Sequence, residues 1–157
     1  MLELIPGTVL NFNSVAAENC YSVIAPLLTV TKGLTLAQVR ELTGLEASTI
    51  QNWVKRGWVK NPEGKRYGEE QVMRIILINM MRGSMQLEQI AFLMSYINGS
   101  VEDRSDDILP DRELFNILCS KFIRVNRMLL QIQNILTVSL IIVLNMQKSA
   151  TVFLRKN

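Results

Sequence analysis

The sequence predicts a mainly α-helical protein: short helices punctuated by glycines, one short β-hairpin, and a long C-terminal helix. Three observations predict it. Of the 157 residues 48% are apolar but only 6% aromatic, a Leu-, Ile-, Val- and Met-rich mixture that suits helices packed on helices. Beyond residue 34, apolar residues recur at spacings of three and four over most of the chain. Strand-forming residues bracket a run of turn residues at 58–68.

Residues 1–31 are expected to form a packing arm, with a helix over 15–25 and Pro26 close after it. Residues 34–45 read as a short helix. Thr35 stands as its N-cap and Gln38 completes a capping box. Leu36, Val39 and Leu42 share one face, and Gly44 ends the helix. A second helix starts near Ala47 or Ser48, with Ile50, Trp53 and Val54 as its buried stripe and Gly57 as its end. Residues 58–68 read as a tight hairpin, with Val59 and Tyr67 on its strands and Asn61-Pro62-Glu63-Gly64 as the turn. Glu69 and Glu70 open a third helix, where acids favour the N-terminus; it carries Val72, Ile75, Ile76, Ile78 and Met80 and breaks at Gly83. Leu87, Ile90, Ala91, Met94 and Ile97 mark a fourth, ended by Asn98-Gly99.

Residues 99–112 read as an acidic linker. Asp103, Asp106 and Asp107 lack the spaced donors and the glycine of a calcium loop. From about residue 111 to 147, Leu118, Phe122, Val125, Leu129, Ile132, Leu136, Ser139, Val143 and Met146 alternate spacings of four and three, a heptad seam with one polar interruption. The expected organisation is an arm (1–31), a winged helix-turn-helix DNA-binding domain (32–98), the linker (99–112) and a C-terminal helical dimerisation region (113–157). The dimerisation residues are Leu118, Phe122, Val125, Leu129, Ile132, Leu136 and Val143. An intramolecular core helix is a second reading of the long helix. A membrane span is the least favoured: residues 128–146 carry no charge, but Gln131, Gln133, Asn134 and Asn145 sit badly in lipid.

The net charge of +3 is unevenly spread. Residues 32–82 carry nine bases and five acids, 83–118 two bases and seven acids, and 119–157 six bases and no acid. A basic middle segment is what a phosphate-binding module needs. There is no histidine, which removes the commonest general base and zinc ligand. Cys20 and Cys119 fit neither a metal spacing nor a small disulfide scaffold and read as buried thiols. No nucleophile motif or Gly-rich phosphate loop occurs, so no enzyme, cofactor or metal is expected. No basic leader precedes the first apolar residues, and a cytoplasmic protein is expected.

The order helix, glycine turn, helix, basic hairpin, helix points to a winged helix-turn-helix. Its second helix offers Ser48, Thr49, Gln51, Asn52, Lys55 and Arg56 on the face opposite the stripe. Amides pair with adenine and arginine with guanine in the major groove. Lys60, Lys65, Arg66 and Tyr67 on the hairpin would grip backbone phosphates. Trp53 and Trp58 read as packing residues.

The run Leu36-Ala37-Gln38-Val39-Arg40-Glu41-Leu42-Thr43-Gly44-Leu45, then Ser48-Thr49-Ile50-Gln51-Asn52-Trp53, Gly64-Lys65-Arg66-Tyr67, Glu69-Glu70-Gln71-Val72 and Gly83-Ser84-Met85-Gln86-Leu87-Glu88-Gln89-Ile90, resembles the DNA-binding domain of the MerR family. Thr49-Ile50-Gln51-Asn52-Trp53-Val54-Lys55-Arg56-Gly57, Lys65-Arg66-Tyr67, Ser84-Met85-Gln86-Leu87 and Ser95-Tyr96-Ile97-Asn98-Gly99 are similar to a bacterial family of small MerR-like proteins of unassigned function. The resemblance implies a dimeric, sequence-specific regulator of transcription that binds double-stranded DNA, and leaves room for an unidentified small-molecule effector. The alternatives are a protein-interaction adaptor on the same fold, without DNA, and a membrane-tethered regulator.

Overall fold

The computed structural model describes residues 2–13, 19–99, 105 and 108–154. In order, the elements are β1 (Leu2–Leu4), β2 (Asn11–Asn13), α1 (Tyr21–Thr31), β3 (Leu34–Thr35), α2 (Leu36–Thr43), α3 (Ala47–Lys55), β4 (Arg66–Tyr67), α4 (Glu69–Met81), α5 (Leu87–Asn98) and α6 (Asp111–Leu154). The architecture is mainly helical, with a long C-terminal helix. The chain divides into two units, Met1–Lys121 and Phe122–Asn157.

The core of the first unit is built on α4. Val72, Met73, Ile75, Ile76 and Leu77 are all fully buried. They point in every direction around the helix, so α4 has neighbours on all sides. Ile24 and Leu28 of α1, Val39 and Leu42 of α2, Ile50 and Trp53 of α3, Ile90 and Met94 of α5, and Phe115 of α6 complete the interior.

The capping box of α2 forms as its sequence predicts. Gln38 N donates to Thr35 Oγ1 (3.3 Å), and Thr35 N donates to Gln38 Oε1 (2.9 Å). Gly44 closes the helix in the left-handed conformation, its N–H donating to the Arg40 carbonyl. Thr35→Ala is expected to cost about 1 kcal/mol in urea denaturation, with Thr35→Ser retaining most of the stability. An unchanged midpoint in Thr35→Ala would mean that water replaces the cap without loss.

Two elements differ from expectation. The N-terminal segment holds the antiparallel pair β1–β2, with Leu4 opposite Asn11. The helix expected over 15–25 falls partly on residues 14–18, outside the described residues; the described helix runs from Tyr21 to Thr31, through Pro26. Asn19 sets its start, its side-chain oxygen accepting from Ser22 N (3.2 Å). Pro26 is tolerated because it lies on the exposed face, where water can satisfy the carbonyl it leaves unpaired.

The hairpin is the second difference. Glu63 and Arg66 exchange both backbone hydrogen bonds (3.0 and 2.9 Å), so the turn is the two residues Gly64-Lys65. Both have positive φ, 54° and 64°, as a tight type I′ turn requires. Above the turn β4 pairs with β3 rather than with the segment around Val59; Leu34 faces Tyr67 and Thr35 faces Arg66. Val59 is buried without joining a strand. Gly33 permits this pairing: its φ is +97°, and a Cβ there would stand 2.8 Å from the Tyr67 carbonyl oxygen.

One buried ionic cluster ties three helices. Arg74 Nε on α4 donates to Asp111 Oδ2 at 2.7 Å, with side chains 8% and 2% exposed. Asn98 at the end of α5 donates its amide to the other Asp111 oxygen. Cys20 and Cys119 are both fully buried, as expected, and lie side by side. The hydrogen bond to Cys20, together with burial, holds the Cys119 thiol well above its ordinary value, so it stays protonated at neutral pH.

The second unit is the part of α6 from Phe122 onward. Every side chain from 128 to 147 is exposed. Of the expected seam, Leu118 is half-buried, while Phe122, Val125, Leu129, Ile132, Leu136 and Val143 are exposed on the single chain. The acidic residues Asp103, Asp106 and Asp107 lie outside the described residues.

Candidate nucleic-acid interface

α3 is positioned by its inner face. Ile50 is fully buried and Trp53 is 1% exposed. Val54, the third residue of the expected stripe, is half-buried beside them, and residues on the far side of the helix turn outward. Ser48, Gln51, Asn52, Lys55 and Arg56 are accordingly exposed, and Thr49 is half-buried. The outward face therefore offers hydroxyl, two amides and cations, with no acid among them.

α3 and β4 both pack against α2. At the tip of the arm leading into β4, Lys65 is exposed. Arg66 is exposed too, and one end of its guanidinium is used within the fold: Nη1 donates to the carbonyls of Thr31 (3.2 Å) and Gly33 (3.0 Å). It fastens the arm to the end of α1. Lys60 is half-buried, in a cleft that Glu63, Arg66, Glu69 and Glu70 also line. The arm's cationic character is thus concentrated at its tip. Tyr67 is 4% exposed and belongs to the core; burial pushes its hydroxyl above the ordinary value. It is a packing residue, because in β4 it alternates inward where Arg66 alternates outward.

Arg56 is also shared. Its guanidinium lies 5.0 Å from the centre of the Trp58 ring and 3.4 Å from Glu88 Oε1 on α5. Both partners of that ion pair are about half exposed or more, so it steers the side chain more than it stabilises the fold. Arg40 and Glu46 make a similar surface pair across the α2–α3 turn, at 3.4 Å.

Sequence reasoning missed the Arg74–Asp111–Asn98 cluster. The signal was Arg74 itself, a charge set within the apolar run Val72-Met73 and Ile75-Ile76-Leu77-Ile78 of α4. Such a charge needs a buried partner.

Residues 25–118 match the family model described as a domain of unknown function, DUF1836. The chain belongs to this family. The DUF1836 match runs from within α1 into the first turns of α6 and takes in α2, α3, the arm and the Arg74–Asp111 pair. The uncharacterised protein YkrK of Bacillus subtilis (strain 168) is 33% identical over 78 residues, covering 47% of this chain and 34% of that relative. The DUF1836 chain thus spans about a third of the length of the curated relative it matches. No solved structure matches it.

Proposed function

We propose that the protein is a sequence-specific, DNA-binding regulator of transcription. Its α2–α3 pair acts as a helix-turn-helix of MerR type and the Gly64-Lys65 arm as its wing. One observation carries the reading: α3 is pinned by Ile50 and Trp53 and turns an acid-free face of Ser48, Gln51, Asn52, Lys55 and Arg56 to solvent. A recognition helix needs this combination, a packed inner face and short polar or cationic groups outward. Gln51 and Asn52 are suited to adenine edges, and Lys55 and Lys65 to phosphates. Arg66 contributes by holding the wing.

The test is binding to random and selected duplexes by fluorescence anisotropy across a salt series. Affinity falls steeply with salt if phosphates are contacted. The Lys55→Ala, Lys65→Ala double variant is expected to weaken binding on every sequence and to flatten the log–log salt slope by about 2. Gln51→Ala is expected to alter preference at one base position by about 1–3 kcal/mol. No salt-sensitive binding at low ionic strength would reject the reading in favour of a protein-interaction adaptor.

A further inference from the structure

We propose that residues 128–146 of α6 span a lipid bilayer and anchor the chain to a membrane. The heptad seam accounts for only part of the apolar surface in this stretch. Leu130, Val138, Ile141 and Leu144 fall on the positions that face away from a partner in a two-stranded coil, where polar residues belong. Ile135 and Leu140 flank the seam, where charged pairs usually set partner choice. All six are 46–65% exposed. Pairing with a second copy along the seam would leave the outward four in water. A bilayer covers every side at once.

Length and charge agree. The stretch contains no Asp, Glu, Lys or Arg, and α6 reaches a mean hydropathy of 1.8 over an 18-residue window, with none of that window buried. At a rise of 1.5 Å per residue it extends about 28 Å, close to the roughly 30 Å of a hydrocarbon core. Arg124 and Arg127 precede it and Lys148 follows it. Cations at both ends suit anionic headgroups. Its larger polar residues are placed tolerably: Gln131, Gln133 and Asn134 lie in the first two turns and Asn145 at the far end, leaving the small hydroxyls of Thr137 and Ser139 nearer the middle. The Thr137 hydroxyl, nearer the middle, donates to the Gln133 carbonyl at 2.8 Å, so it needs no water.

This proposal stands apart from DNA binding, since none of these residues belongs to α3 or the arm. Its test is flotation of carbonate-washed membranes through a density gradient, from bacterial cells expressing the full chain. The chain is expected to float with the lipid and to leave it only in detergent. The Val138→Lys, Ile141→Lys double variant is expected to lose about tenfold of the floated fraction, while Val138→Leu, Ile141→Leu floats normally. A chain that stays soluble, sinks as aggregate, or floats regardless of the two lysines overturns the proposal. A soluble dimer broken by Leu136→Lys but not by the double lysine variant would assign the helix to a second copy instead.

Discussion

Asp111→Ala is expected to destabilise the first unit by about 3–5 kcal/mol, the largest single loss at any polar position in it. The carboxylate is 2% exposed and receives Arg74 Nε at 2.7 Å and the Asn98 amide. Its removal strands a guanidinium that is itself buried and leaves the Asn98 amide without its acceptor. The Asn98 side-chain oxygen already lacks a partner, so this corner of the core cannot absorb another unpaired group. Replacing both charges, as Arg74→Met with Asp111→Leu, is expected to cost far less than either single loss, because the desolvation penalty disappears with the pair. Urea denaturation followed by far-ultraviolet circular dichroism measures both. A single-variant loss below about 1 kcal/mol would show that water reaches Arg74 once the aspartate is gone.

Trp53→Ala should follow closely, at about 3–5 kcal/mol, from removal of a large, fully enclosed ring. The indole is 1% exposed on the inner face of α3. Its loss removes the packing that fixes which residues of α3 face outward, so stability and DNA affinity are expected to fall together. Trp53→Phe keeps most of the volume and should retain the fold at reduced stability. Gln51→Ala, on the exposed face of α3, is expected to leave the denaturation midpoint unchanged and, under the proposed function, to move only base preference. If Trp53→Ala binds DNA normally under conditions where it is folded, the inner face of α3 does not set the outer one.

Much of this was legible from residue types alone. Thr35 with Gln38 and the glycine at 44 marked both ends of α2, because capping is a local transaction between neighbours in sequence. The stripe of Ile50, Trp53 and Val54 told which face of α3 is turned inward, with Val54 at its half-buried edge, and so which residues are exposed. The arm was less legible for a physical reason. Its turn residues suggested a closed hairpin, but β4 satisfies its backbone with β3, a partner on the other side of α2 and α3 in the chain. Non-local pairing leaves no mark in a short window. The same holds for Arg66, whose two carbonyl acceptors belong to the end of α1, and for Tyr67, which composition alone could not place inside. Arg74, Asp111 and Asn98 lie on three helices, and only the fold shows that they converge.

The arm also separates two properties that a simple hairpin would couple. Its root is held by β3 and by the Arg66 bonds to the Thr31 and Gly33 carbonyls. Its tip is the self-contained exchange between Glu63 and Arg66 around Gly64-Lys65. Residues added between Glu63 and Arg66 would lengthen the tip while leaving the register at the root untouched. Reach can therefore grow among relatives without a change in attachment: a longer arm would not require the body that carries it to be rebuilt.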